Sequence, residues 1–275
     1  MKFKYEEPKS DVIEITPEIA KEMLETSPGN RRLRGWYVTL LASAMRRREW
    51  RVTSQGIGFD RLGRLRDAHH RLNACIQAGT SFRSVVVFGL QEDAYEVIDT
   101  GMVRTYADRL EESRGVADTL RLGCQYALRT SKPTIDQMKP IIGSGIGDAA
   151  RALVDFCGAK RKYYASAPIK LSACITIMNG GNSDYVLHQY RALCTLNFDA
   201  MSKSAQALVR QVESGKVRAN DSREALARGF RVFDEERSGV SKIQISEADI
   251  DAAVELVRSV LLNSVISEEI GRSVP

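Results

Sequence analysis

The chain has 275 residues, 43% of them hydrophobic and 27% charged, with a formal net charge of +5. That length can bury one large core or two of ordinary size, and the composition is that of a globular protein. No apolar run approaches the roughly 18 residues of a membrane span. Met1-Lys2-Phe3-Lys4-Tyr5-Glu6-Glu7 lacks the apolar core of a signal peptide, so a cytoplasmic protein without membrane contact is expected.

Asp11 to Ile15 reads as a short strand, and Thr16-Pro17-Glu18 opens a helix with a capping residue and a proline in its first turn. That helix runs to about Thr26 and breaks at Ser27-Pro28-Gly29-Asn30. In the next helix Leu33, Trp36, Tyr37, Leu40, Leu41, Ala44 and Met45 recur at helical spacing. They are expected to form one apolar stripe packed in the core. Arg34, Arg46, Arg47 and Arg48 occupy its other face and its C-terminal end.

Gly56-Ile57-Gly58-Phe59 is a short apolar run followed by a turn, Asp60-Arg61-Leu62-Gly63. Arg66-Asp67-Ala68-His69-His70-Arg71-Leu72 then opens a helix that ends at Gly79. A strand, a turn and basic residues at a helix start make a ready anion site, because the first N–H groups of a helix lack intrahelical partners and sit at the positive end of its dipole. Phosphate is the natural occupant. Phe82 to Leu90 is a strand whose unbroken apolar run predicts burial on both faces. It should share a sheet with the strand before the motif. Glu92 to Ile98 can form one or two helical turns, and Ile98-Asp99-Thr100-Gly101-Met102-Val103-Arg104-Thr105 is a second polar loop ahead of another helix.

Beyond Gly115 the apolar periodicity is helical throughout, near 116–130, 134–142, 147–157, 168–179, 184–196, 200–213, 222–233 and 246–266. The breaks are Pro133, Gly143-Ser144-Gly145, Ala167-Pro168, Gly180-Gly181-Asn182 and Ser238-Gly239. The expected fold is therefore α+β, with a small mixed α/β domain over 1–112 and an all-helical domain over 113–275.

Charge is unevenly placed. Between Asn30 and Arg71 eleven arginines face only Glu49, Asp60 and Asp67, a local +8 without a lysine, whereas Phe233 to Pro275 carries −5. An arginine-rich segment of this kind predicts contact with a polyanion, DNA above all, through Arg34, Arg46, Arg47 and Arg48. The bland alternative is a solvated basic helix face. The five cysteines have no metal spacing and read as buried reduced thiols, and three histidines leave no zinc site.

The order of elements, together with Asp67-Ala68-His69-His70-Arg71-Leu72, resembles the ParB/sulfiredoxin superfamily. The nearest form of its motif is the Asp-Gly-Gln-His-Arg of restriction-linked members. Here Asp67, His70, Arg71 and Leu72 stand in the Asp, His, Arg and Leu places; Ala68 replaces the glycine and His69 the glutamine. The chain also looks like phage and mobile-element proteins that carry Ile-Asp-Thr-Gly-x-x-Arg some thirty residues further on, which Ile98 to Gly101 and Arg104 match. The resemblance covers about residues 11–112.

It implies binding of a nucleoside triphosphate, ATP or CTP, with Mg²⁺. His69, His70, Arg71, Thr100 and Arg104 are the expected nucleotide contacts. Asp67 and Asp99 are the expected catalytic carboxylates, with Asp99 as the metal ligand. Each has a structural alternative: Asp67 as a helix cap, and Asp99-Thr100-Gly101 as a turn. The functions in view are an NTP-dependent phosphotransferase or NTPase acting on or near DNA, a non-catalytic DNA-binding or partition-like protein, and a metal-dependent nuclease. A homodimer through the helical domain is a further expectation.

Overall fold

A computed structural model describes residues 3–27, 33–94, 104–158, 161–217 and 221–273. The chain divides into two compact units, Met1–Val103 and Arg104–Pro275. The first is mixed α/β, and the described residues of the second form helices without a strand. No helix among the described residues is long and apolar enough to cross a membrane.

The first unit is built on three strands, β1 (Lys9–Ile15), β2 (Ile57–Asp60) and β3 (Phe82–Leu90), in the order β1-β3-β2. β1 runs antiparallel to β3, with Lys9 opposite Phe88 and Ile15 opposite Phe82. β2 runs parallel to β3, with Ile57 opposite Val86, so the strand before the motif does share the sheet with the apolar strand after it. Parallel pairing needs a crossover, and helix α3 (His69–Ala78) supplies it.

β3 is not buried on both faces. Phe82, Ser84, Val86 and Phe88 are buried, while Arg83 is exposed and Val85 and Val87 are only half-buried. The alternation is that of a sheet covered on one face. Helices α1 (Pro17–Glu25), α2 (Gly35–Arg46) and α3 close a core of Ile15, Met23, Val38, Ala42, Met45, Ile57, Phe59, Leu72, Cys75, Val86 and Phe88. Thr16 caps α1 by accepting from the Ile19 N–H.

The expected core stripe of α2 is corrected by the structure. The buried face is Val38, Ala42 and Met45, at spacings of four and three; of the expected stripe, Met45 is buried and Leu41 packs half-buried on the core. Leu33, Trp36 and Tyr37 are instead 43, 54 and 38% exposed. Ala42 and Val38 are small enough to bring the α2 backbone close to α3, and a helix closed on that face carries its larger side chains away from the core.

The helical unit comprises α4 (Tyr106–Leu110), α5 (Arg114–Leu128), α6 (Ile135–Ile141), α7 (Gly147–Phe156), α8 (Ala167–Met178), α9 (Ser183–Thr195), α10 (Lys203–Glu213), α11 (Ser222–Phe233) and α12 (Glu247–Ser273). The short α4 belongs with these helices, since Tyr106 and Leu110 pack on their core and the Tyr106 hydroxyl donates to the Pro133 carbonyl at 2.8 Å. α8 is the central helix: every residue from Pro168 to Ile175 is buried. It is crossed closely by α11, where a Cβ on Gly229 would lie 2.0 Å from the Ser172 Oγ. All five cysteines are buried free thiols, and burial pushes Cys75 up to about 11 and Cys124, Cys174 and Cys194 to about 12.

Candidate functional site

The motif begins from a rigid turn. The fully buried Asp60 carboxylate accepts from the N–H groups of Leu62 and Arg64 at 3.0 and 2.9 Å and from the Nε atoms of Arg64 and Arg66, both at 2.7 Å. Burial pushes the Asp60 carboxyl up, but the Arg64 and Arg66 hydrogen bonds outweigh it and hold it below its ordinary value. Two of the arginines counted as free positive charge are thereby spent on holding the turn.

Ala68 stands next, at φ 91 and ψ 13. That is left-handed backbone, which costs an L-residue with a Cβ roughly 1–2 kcal/mol and glycine almost nothing. The position where the resemblance has glycine is thus the position where this backbone needs one. Alanine occupies it under strain, held by flanking contacts: the Asp67 Oδ1 accepts from the Ala68 N–H at 2.6 Å, and the Ala68 side chain is buried.

Asp67 is therefore not the N-cap of α3. Ala68 is, and it has no side chain to accept the N–H groups of the first turn. The N-cap of α2, Arg34, makes no side-chain cap bond either. By contrast Thr16, Ser113, Asn182, Ser202 and Asp221 each cap the helix they precede. Helices α7 and α8 also start without a side-chain cap, but the starts of α2 and α3 are joined, because the Arg34 N–H donates to the His70 Nε2 at 3.1 Å. Two positive helix ends meet at His70.

Arg71 is anchored inward. Its Nη1 donates to the Gln55 carbonyl, and its Nη2 donates to the Gly56 carbonyl at 2.8 Å and to the Asp67 Oδ2 at 2.8 Å. Gly56 itself sits tight against β3, where a Cβ would lie 2.9 Å from the Val85 carbonyl oxygen. Arg71 and Asp67 together lock the start of α3 to the chain leading into β2. His69 is half-buried, and burial first, then the neighbouring His70, lowers its pKa against the pull of Asp67.

The expected nucleic-acid contacts do not form one group. Arg34 lies ahead of α2 beside His70, whereas Arg46, Arg47 and Arg48 lie at the far end of that 12-residue helix, about 18 Å along its axis. Arg46 donates to the Gln77 carbonyl at 2.8 Å, and Arg47 pairs with Glu49 through two bonds of 2.7 and 3.0 Å. Arg48 is exposed and holds left-handed backbone at φ 59. Asp99 and Thr100 lie outside the described residues. Arg104 is exposed and opens the helical unit. Among the described residues no group of three His, Cys, Asp or Glu could hold a metal ion.

Several residues of consequence carry no signal in the sequence. Asp60 reads only as a turn residue, and the roles of the Gln55 and Gly56 carbonyls are invisible to any motif. In the helical unit Lys170 is buried on α8, donates to the Ala165 carbonyl at 3.0 Å and has its pKa lowered, first by burial. No family model, curated protein or solved structure matches the chain.

Proposed function

We propose that the first unit binds a nucleoside triphosphate, ATP or CTP, with its phosphates at the start of α3, and that it serves a ParB-like role on or near DNA. One observation carries the reading: a non-glycine residue is held in left-handed backbone directly ahead of an uncapped basic helix start. Strain of this kind persists where surrounding contacts over-determine it, and such places cluster at ligand sites.

The donor set fits an anion. The first N–H groups of α3, the imidazoles of His69 and His70 and the Arg34 guanidinium are of the type that binds phosphate oxygens. Asp67 and Arg71 neutralise one another, so the pair adds no net repulsion, and their part is to position the helix start. Mg²⁺ would supply charge neutralisation between phosphate oxygens, with Asp99 as its proposed ligand.

The reading is tested by thermal denaturation with ATP, CTP, GTP, UTP and pyrophosphate, each with Mg²⁺. A ligand at a hundred times its Kd stabilises the fold by about 2.7 kcal/mol. At least one triphosphate should raise the melting temperature, and His69→Ala should reduce the rise. No shift with any of them removes the nucleotide site. Release of labelled phosphate, measured with and without DNA, then separates an NTPase or phosphotransferase from a binding switch.

A further inference from the structure

The face of α2 that the core does not use presents an aromatic pair. Trp36 is 54% and Tyr37 38% exposed, their ring centroids 5.5 Å apart at 58°, and Leu33 beside them is 43% exposed. Val38, Ala42 and Met45 seat the helix on the core from its opposite side. Large apolar side chains grouped on a surface mark a binding face more often than chance exposure does.

What borders them selects the partner. The Tyr37 ring meets the His70 imidazole edge-on at 5.4 Å between centroids, and His70 in turn accepts from the Arg34 N–H. An aromatic surface next to exposed Arg34 and half-buried His69 is therefore apolar on one side and cationic on the other. A protein face would match the first feature and a bare phosphate the second. A nucleobase joined to a phosphate matches both, because its π-face stacks on Trp or Tyr while its charge seeks the basic border.

We infer that Trp36 and Tyr37 form a stacking platform for the base of a nucleobase–phosphate ligand. This rests on the proposed phosphate site for the ligand's other end, but the platform can fail or stand by itself. The occupant is the free nucleotide of that proposed site, whose phosphates the basic border complements.

The chain has two tryptophans, so intrinsic fluorescence reports on the platform directly. Wild-type protein and Trp36→Phe are titrated with ATP, CTP, pyrophosphate and a short single-stranded oligonucleotide. Ligand affinities are also measured by calorimetry for Trp36→Ala. The expected result is a quench by a mononucleotide that is largely lost in Trp36→Phe. Trp36→Ala should weaken that nucleotide about tenfold and leave pyrophosphate affinity unchanged, as loss of one stacked base predicts. A response to the oligonucleotide alone overturns the free nucleotide as the occupant.

Unchanged nucleotide and oligonucleotide affinity in a folded Trp36→Ala protein overturns the platform, even where pyrophosphate binds. A Trp36-dependent quench without any pyrophosphate binding keeps the platform and removes the phosphate site. Fluorescence that changes with protein concentration alone, together with dimers in sedimentation, assigns the face to a second copy of the chain and overturns the inference.

Discussion

The Arg34 backbone N–H and the His70 Nε2 lie 3.1 Å apart, which ties the residue ahead of α2 to the second residue of α3. The bond requires an unprotonated Nε2, so the His70 proton sits on Nδ1. His70→Ala removes both this acceptor and the edge contact with Tyr37. The expected cost is about 1 kcal/mol, the net worth of one ordinary hydrogen bond. In a domain of this size that lowers the melting temperature by about 4–8 °C. His70→Gln, which keeps an acceptor, should recover part of it. An unchanged melting temperature in His70→Ala would mean the two helix starts are held by packing alone.

Ala68→Gly should stabilise the protein, against the usual rule that glycine loosens a chain. Relief of the strain at φ 91 is worth about 1–2 kcal/mol, and the extra freedom of glycine in the unfolded chain takes back about 0.5–1. The net gain is about 0–1.5 kcal/mol in a denaturant titration. Ala68→Val, branched at Cβ in the same conformation, should lose more than Ala68→Gly gains. If Ala68→Gly proves destabilising, the strain is not there.

The limits of the sequence are instructive at particular residues. Thr16-Pro17, Gly79 and the helical breaks beyond Gly115 were legible because cap and stop signals are local, and Thr16 and Gly79 end their helices in the structure as expected. The α2 stripe is legible only at Leu41 and Met45, because Leu33-Trp36-Tyr37-Leu40 and Val38-Ala42-Met45 are both helical spacings and only the approach of α3 decides between them. The motif itself was visible, but not the inward turn of Arg71. Its partners, the Gln55 and Gly56 carbonyls, are backbone atoms fifteen and more residues earlier in the chain. Nothing in a side-chain pattern records them.

Asp60 predicts an acid-side signature. Its folded pKa is depressed below the ordinary carboxylate value, so its contribution to stability is complete above that value and is lost as pH falls through the folded pKa. Asp60→Asn should be strongly destabilised at neutral pH, because Arg64 and Arg66 lose the charge they surround. As pH falls through the folded pKa and the wild-type carboxyl is itself protonated, the two proteins should converge. Chemical denaturation over a descending pH series measures this directly. A gap of the same size throughout the series would show that shape, not charge, holds the turn.

At the proposed phosphate site, His69 would make nucleotide binding depend on pH in a defined direction. Burial and the His70 neighbour favour its neutral form, with Asp67 opposing them, so the folded pKa lies below that of an ordinary imidazole. For the free protein the sign follows: folding is unaffected by this group well above pH 6.5 and is weakened as pH falls below it, because the folded state resists a proton that the unfolded chain accepts. A phosphate set against the imidazole reverses the preference by favouring the charged form. Binding then takes up a proton, and affinity should rise as pH is lowered from 8 and level off once His69 of the free protein is itself protonated. The phosphate has its own titration in this range, so the slope alone proves nothing. The decisive quantity is the difference between wild type and His69→Gln with one ligand in one buffer series, where the ligand's titration cancels. The wild type should gain affinity over the variant as pH falls, with proton uptake seen as a buffer-dependent binding enthalpy. Parallel pH profiles for the two proteins would place the phosphate away from His69.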